Sequence, residues 1–459
     1  MSLIPTIWQK RLGAFNDSVD GYLKWLRKST PPRQQTAEVL LDNLKKFTQR
    51  QFTRFDNFQA YLDLSPKPII PFLMPDTILC LILDQAFTDF SVIQQAISQR
   101  QVDNMKEVLD IADQLAWLAL VDPVRKYLDS PNTTVLTYLH KSTNVRLIPY
   151  APVAVVGIPY TGIMKAESER LDINTTVTQD YLGIPHEIGH HVFWHCNINP
   201  DEQENPLKLF DYLKGALQDD DAFVARWAEE IFADMYGLAI GGPLIAKAGQ
   251  SVQKVIAADK FFSDDGEHPT SALRPRIAAK ILQDLEYGQS DILLQDWLAI
   301  CESRKACLWM NESNAVNDWF KVYEDAQWVP IDWVMGSTTN LNSQKAVDRM
   351  TSKLLGLDIT ASVKGLQTWW NGYLGVSGKS SLYDMFDAYI QQTILRTPPT
   401  TGLDTINADN WHPDMDSLSP EIEQRPNYEY TEPVLRFILK INGWATKGAD
   451  RDPIPRLSD

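Results

Sequence analysis

The sequence predicts a mainly helical protein of the α+β class, with a small sheet between helical regions. Apolar residues recur at intervals of three and four through Ile7 to Leu26, Ala37 to Leu64 and Val108 to Leu120, a spacing that lines one face of an amphipathic helix. Between Val145 and Ile158 the chain becomes rich in Val and Ile and is interrupted by proline, which favours one or two strands at the edge of a sheet. Helical periodicity returns from Pro185 to Leu285.

The chain is expected to contain more than one packed unit. At 459 residues it exceeds what one ordinary core contains, so two or three units are predicted. We predict an N-terminal helical region over residues 1–142, a domain with the small edge sheet and a helical segment over residues 143–290, and a C-terminal helical region over residues 291–459. The last region is expected to end in an extended tail, because the chain there is rich in Pro, Asn, Asp and Ser.

Composition and charge restrict the expected partners. Acidic residues number 59 and basic residues 43, the formal net charge is -16, and no run of Lys or Arg is long enough to form a phosphate-binding stripe. Nucleic acid and anionic membrane surfaces are therefore not expected partners. The most apolar stretch, Pro68 to Phe87, is broken by prolines and aspartates, and the N-terminus lacks a secretory signal pattern, so we predict no membrane span and a cytoplasmic location.

The segment His186-Glu187-Ile188-Gly189-His190 is an HExxH motif. Histidines four residues apart project from one face of a helix, so both imidazoles can bind a single metal ion. Zinc accepts imidazole nitrogen at about 2.0–2.1 Å, and one helical turn brings both rings to one tetrahedral centre. Glu187 lies about 100° further round the helix, so its carboxylate can reach a metal-bound water instead of the metal. We expect Glu187 to act as the general base.

A second acidic segment supplies the ligand that this motif lacks. Short HExxH matches also occur in helices whose histidines only pack or form hydrogen bonds, but Glu230 and Asp234 lie one helical turn apart and share a face. A catalytic zinc keeps three protein ligands and an open position, so Glu230 is the expected third ligand. Asp234 can accept a hydrogen bond from the outer nitrogen of a ligating histidine and fix its tautomer. Glu229 is expected to point away from this face.

The two motifs together resemble those of the gluzincin metallopeptidases, in which a Glu ligand is followed four residues later by an orienting Asp. Because 39 residues lie between His190 and Glu230, the chain is more similar to the CAAX prenyl protease family and its soluble relatives than to thermolysin-like members. The resemblance extends from Pro185 to Leu285 and implies a zincin-like catalytic unit with one catalytic zinc ion. The prenyl proteases are membrane enzymes, so their lipidated substrates and compartment are not carried over.

Downstream of the acidic segment, His268-Pro269 is followed by Arg274 and Arg276. This arrangement resembles the His-Pro and Arg element of the same family. The resemblance implies that His268 donates a hydrogen bond to the oxyanion of the tetrahedral intermediate. The alternative interpretation of His268 is a loop or helix-capping residue.

Other side chains have open or structural interpretations. Three phenols are candidates for stabilising an oxyanion: Tyr150, Tyr160 and Tyr236. The segment Val153 to Pro159 can either pair with an extended peptide as an edge strand or be a plain structural edge strand. His191 and His195 point away from the metal of the motif and are expected to be structural, and His412 is expected to be a turn residue.

We therefore predict a zinc-dependent metallopeptidase that hydrolyses a peptide or protein substrate, with zinc as its expected cofactor. His186, His190 and Glu230 are the predicted ligands, and Glu187 is the predicted base. Two alternatives stay open at this point. One is a zinc hydrolase acting on a non-peptide substrate, because a metal-activated water has no intrinsic preference among electrophiles. The other is a helical scaffold or binding protein with a structural or vestigial zinc site, although a structural zinc has no need of Glu187.

Overall fold

The computed structural model describes residues 4–64, 75–120, 124–128, 133–146, 148, 150–160, 180–199, 207–209, 212–213, 222–256, 261, 268–311, 341–374 and 385. These residues are mostly helical, with one small sheet, so the mainly α class predicted from the sequence is confirmed. The chain divides into two compact units. Of the described residues, those up to 114 and those from 133 to 160 belong to the first unit, and those from 115 to 128 and from 180 onwards belong to the second.

The described helices of the first unit agree with the amphipathic pattern of the sequence. They are α1 (Thr6–Ser29), α2 (Gln34–Leu64), α3 (Pro75–Gln99) and α4 (Asp103–Leu118), the last of which continues into the second unit. In α1 the buried side chains recur every three or four residues: Trp8, Leu12, Phe15, Val19, Leu23 and Leu26. This apolar face packs into the core of the unit, as the periodicity predicts.

The sheet has three strands, β1 (Thr134–His140), β2 (Asn144–Arg146) and β3 (Val153–Pro159), in the order β1-β3-β2. Strand β3 is parallel to β1 and antiparallel to β2. Every residue of β3 is buried, and the strand is central. The predicted edge position of Val153 to Pro159 is therefore wrong. Its near-continuous apolar run is typical of a strand covered on both faces, and the flanking Pro152 lies outside the strand.

The position of the sheet also differs from the predicted domain limits. Strand β1 lies in a region interpreted as helical, and all three strands belong to the first unit, with α1 to α3. The predicted domain over residues 143–290 contains both the sheet and the HExxH segment, whereas the HExxH segment belongs to the second unit. The limits near residues 143 and 290 do not coincide with the boundaries of the two units. The strands therefore give no information about which residues surround the HExxH segment.

The second unit is built around one long buried helix. Its described helices are α5 (Ile184–His195), α6 (Ala222–Gly241), α7 (Pro243–Lys254), α8 (Arg274–Asp284), α9 (Ser290–Asn311), α10 (Leu341–Leu355), α11 (Asp358–Lys364) and α12 (Gln367–Tyr373). Helix α6 contacts α5, α7, α8, α10, α11 and α12. A helix surrounded in this way has little freedom to rotate or shift. The acidic side chains of α6 are consequently held in fixed positions against α5 and α8.

Two features complete the fold as far as the site requires. The indole nitrogen of Trp297 in α9 donates to the carbonyl oxygen of Ala272 at 2.7 Å, which fixes the segment between His268 and α8. No described helix has the length and hydropathy needed to cross a membrane. The predicted C-terminal tail and His412 lie outside the described residues.

Candidate metal centre

Helix α5 carries the HExxH motif in its first two turns. The helix begins at Ile184, and Pro185 occupies a position in the first turn, where a missing backbone N–H costs no helical hydrogen bond. Gly183 and Pro185 therefore mark the start of this helix. Residues 186 and 190 follow without interruption, so both imidazoles lie on the same face.

Two glycines allow α5 and α6 to approach closely at this face. A Cβ atom added to Gly189 would lie 2.8 Å from the Cα atom of Ala233 and 3.0 Å from the Cβ atom of Tyr236. A Cβ atom added to Gly237 would lie 3.3 Å from the backbone nitrogen of His186. Carbon atoms in contact are normally about 3.5–4.0 Å apart, so a larger residue at Gly189 would push the helices apart.

Three side chains from these helices meet at one point. The Nε2 atoms of His186 and His190 are 3.1 Å apart. Glu230 in α6 places one carboxylate oxygen 3.6 Å from Nε2 of His186 and the other 3.5 Å from Nε2 of His190. Among the described residues, these three form a group of donor atoms within 4.8 Å of one another that could hold a metal ion. The three predicted ligands are thus brought together.

The outer nitrogen of His186 is oriented by Asp234, as the sequence predicts. Nδ1 of His186 lies 2.9 Å from a carboxylate oxygen of Asp234. A ring nitrogen that donates to a carboxylate carries the proton, which leaves Nε2 with its lone pair directed at the other ligands. Asp234 is held in turn by Arg274 in α8, whose Nε and Nη2 atoms each donate to a different oxygen of that carboxylate at 2.7 Å.

Arg274 also borders the ligands themselves. Its Nη2 atom lies 3.4 Å from Glu230 and 3.3 Å from Nε2 of His186. Burial alone would raise the pKa of Asp234, but the Arg274 guanidinium and the His186 ring lower it to about 2. Burial acts to lower the pKa of Arg274, yet the Asp234 carboxylate raises it above the ordinary value. The pair is therefore ionised at neutral pH.

The outer nitrogen of His190 has a carboxylate that sequence reasoning missed. Nδ1 of His190 lies 3.0 Å from Oε1 of Glu229, and the indole nitrogen of Trp194 donates to the same oxygen at 2.9 Å. The expectation that Glu229 points away from the site is wrong. Its direction depends on how α6 is rotated against α5, which the spacing of acidic residues alone does not specify. The sequence feature that points to this contact is the spacing of His190 and Trp194, which share a face of α5.

The predicted catalytic residues Glu187 and His268 lie in the same region as the three predicted ligands. Glu187 follows His186 in α5 and is buried, and its charge contributes to the raised pKa of Arg274. His268 precedes α8, and its Nε2 atom lies 3.5 Å from a carboxylate oxygen of Glu230. His268 is outside the group of three donor atoms and is 35% exposed. It therefore borders the ligands on a side open to solvent.

The remaining candidates have other surroundings. Tyr150 donates to Asp89 in the first unit at 2.9 Å. The Tyr236 hydroxyl is buried and donates to the backbone carbonyl of Ala119. His191 is buried and its ring packs against that of His195, with centroids 4.4 Å apart. The Tyr236 hydroxyl is thus engaged in a hydrogen bond to the backbone. His191 and His195 are outside the donor group.

Comparison with known proteins leaves this geometry as the main guide to function. No protein-family model, no curated protein and no solved structure matches the chain.

Proposed function

We propose that the second unit is a zincin-like hydrolase that binds one zinc ion through His186, His190 and Glu230. The observation behind this proposal is the convergence of two imidazole nitrogens and one carboxylate on a single point, with the buried Glu187 next to His186 in α5. Zinc takes such ligands at about 2.0–2.2 Å, so a tetrahedral site places neighbouring ligand atoms about 3.3–3.6 Å apart. The separations of 3.1, 3.5 and 3.6 Å lie close to this value.

The charges around this point favour a divalent cation. Glu187, Glu229 and Glu230 are buried, and Asp234 is ionised beside Arg274. Buried carboxylates are unfavourable unless cations or hydrogen-bond donors compensate them, and a divalent ion held by Glu230 would supply two positive charges among these groups. The hydrogen bonds that fix the outer nitrogens also direct both Nε2 lone pairs inward. A divalent ion would relieve the repulsion between these lone pairs and compensate the Glu230 carboxylate.

Glu187 and His268 have separate roles in the proposed hydrolysis. A zinc ion, when bound, polarises a carbonyl group and lowers the pKa of a water molecule to about 7. Glu187 takes the proton of the attacking water and returns it to the leaving amine. His268 donates a hydrogen bond to the oxyanion that develops on the carbonyl oxygen. Its partial exposure leaves room for a substrate at this side of the site.

We propose a peptide or protein as the substrate, on the basis of the gluzincin resemblance. Pairing of a peptide with β3 does not support this proposal, because β3 is a central strand and has no free edge for an extended peptide. The net charge of -16 favours cationic over anionic partners. A hydrolase of another electrophile would use the same ligands and the same base, so substrate class is a matter for direct assay.

The substitution Glu187→Gln tests the proposed chemistry. We expect it to keep one zinc ion per chain and to lower turnover by a factor of about 10²–10⁴, which is what a general base contributes. The matched control is Glu107→Gln, which makes the same change at an exposed position of α4. Wild-type protein and both variants would be incubated with a peptide library, and cleavage would be followed by mass spectrometry.

The outcomes separate the three functions. Peptide cleavage that Glu187→Gln abolishes and Glu107→Gln retains supports the peptidase. Turnover restricted to ester or phosphate substrates in a parallel panel would replace the peptidase with a hydrolase of that class. A zinc-loaded wild-type protein that turns over neither panel would favour the scaffold protein.

A further inference from the structure

Helix α6 provides a separate carboxylate for the outer nitrogen of each predicted histidine ligand. Asp234 lies 2.9 Å from Nδ1 of His186, and Glu229 lies 3.0 Å from Nδ1 of His190. Glu229 directly precedes the ligand Glu230 in the chain. One helix therefore supplies both a ligand and the two groups that orient the other ligands.

Glu229 is itself held in place from α5. The Trp194 indole donates to Oε1, the same carboxylate oxygen that faces His190. Trp194 is four residues after His190, so the indole and the imidazole lie on one face of α5 and approach Glu229 together. Glu229 is buried, so bulk water screens these two contacts only weakly.

The two orienting carboxylates accept hydrogen bonds from different groups. Asp234 accepts two hydrogen bonds from the Arg274 guanidinium, which withdraws part of its negative charge from His186. Glu229 accepts a hydrogen bond from the neutral indole of Trp194. A carboxylate that hydrogen-bonds to a ligating imidazole raises the basicity of that ligand. The Glu229 carboxylate should therefore strengthen His190 as a ligand.

We propose that Glu229, held by Trp194, is a positioning residue that fixes the metal-binding tautomer of His190 and strengthens it as a ligand. This inference rests on the proposed metal centre. Glu229 acts through His190 and has no role as a ligand or as a general base. It accounts for a buried carboxylate next to Glu230 that the three-ligand motif does not require.

Metal affinity and ligand-field spectroscopy test this role. Cobalt(II) would be loaded into wild-type protein, Glu229→Ala, Glu229→Gln and Trp194→Phe, and its visible absorption spectrum recorded. Zinc affinity would be measured by competition with a chromogenic chelator. We expect Glu229→Ala to weaken zinc binding by a factor of about 10–100 and to alter the cobalt spectrum. Glu229→Gln should fall between this variant and the wild type, because its amide oxygen can still accept a hydrogen bond from the Nδ1–H group of His190.

The controls separate positioning from a general effect on folding or charge. Glu107→Gln removes one negative charge from an exposed site and should leave affinity and spectrum unchanged. Trp194→Phe keeps an aromatic ring but removes the donor, so a weaker form of the Glu229→Ala effect is expected. This variant also covers the case in which Glu229→Ala fails to fold, which circular dichroism would reveal.

Two failures are distinguishable. A wild-type protein that binds neither zinc nor cobalt would overturn the metal centre and this inference with it. A wild-type protein that binds both metals, alongside a folded Glu229→Ala or Trp194→Phe variant with unchanged affinity and spectrum, would overturn the role of Glu229 alone.

Discussion

The close approach of α5 and α6 at Gly189 leads to a sharp prediction for Gly189→Ala. The added methyl carbon would lie 2.8 Å from a backbone atom of Ala233. A normal carbon contact is at least about 3.5 Å, so the helices must separate locally by about 0.7 Å. Because Glu230 is in α6 and both histidines are in α5, the distances that join them would grow by a similar amount. From 3.5 and 3.6 Å they would increase to about 4.2–4.3 Å, which exceeds the ligand spacing of about 3.3–3.6 Å in a tetrahedral zinc site.

Gly189→Ala should therefore weaken metal binding as well as packing. Overpacking of this kind costs about 1–3 kcal/mol, while alanine favours the helix over glycine by about 1 kcal/mol. The net loss in unfolding free energy of the metal-free protein is expected to be about 0–2 kcal/mol from these two effects. Zinc affinity should fall at least about tenfold, which corresponds to about 1.4 kcal/mol.

Two other glycines in the second unit are matched controls. Gly249 lies in α7, and a Cβ atom added there meets nothing within 4 Å, so Gly249→Ala should keep its zinc and be slightly more stable. Gly237→Ala meets His186 at 3.3 Å and should have an intermediate effect. Chelator competition gives the affinities and urea denaturation the stabilities. The reasoning is refuted if folded Gly189→Ala binds zinc as tightly as Gly249→Ala.

Two further predictions concern other charged groups. Asp234→Ala removes the group that orients His186, so zinc affinity should fall by about 10–100-fold in a chelator competition; unchanged affinity would exclude that role. In the first unit, burial would raise the pKa of Asp113, but Arg100 and Arg33 lower it below its ordinary value. Its stabilising effect is therefore complete above about pH 4 and is lost as the pH falls through the lower folded pKa. Asp113→Asn should flatten the loss of unfolding free energy with acid in urea titrations below about pH 4, and an unaltered slope would contradict this interpretation.

The parts of the structure that the sequence predicts are those set by local spacing. The periodicity of α1 depends only on which residues recur every three or four positions. The spacing of His186 and His190 on one face, and of Glu230 and Asp234 on another, depends on single helical turns. These elements are found where the pattern places them, and the distances between the predicted ligands follow once the two helices pack together.

The parts that the sequence does not predict depend on tertiary packing. The segment from Val153 to Pro159 has the composition of a strand, but its central position depends on β1, which was interpreted as part of a helical region. Glu229 contacts His190 because of the rotation of α6 against α5, and a spacing of acidic residues does not specify that rotation. Arg274 reaches Asp234 only after α8 packs against α6. Each of these features joins residues that are distant in the sequence.

Zinc content measured by elemental analysis tests the central claim most directly. Wild-type protein would be purified without added metal beside His186→Ala, Glu230→Ala and His195→Ala, the last of which changes a histidine of α5 outside the donor group. The proposed centre predicts close to one zinc per chain in the wild type and in His195→Ala, and loss of zinc from the other two variants. A wild-type protein that stays without zinc after zinc is offered, or zinc retained in His186→Ala and Glu230→Ala, would contradict it.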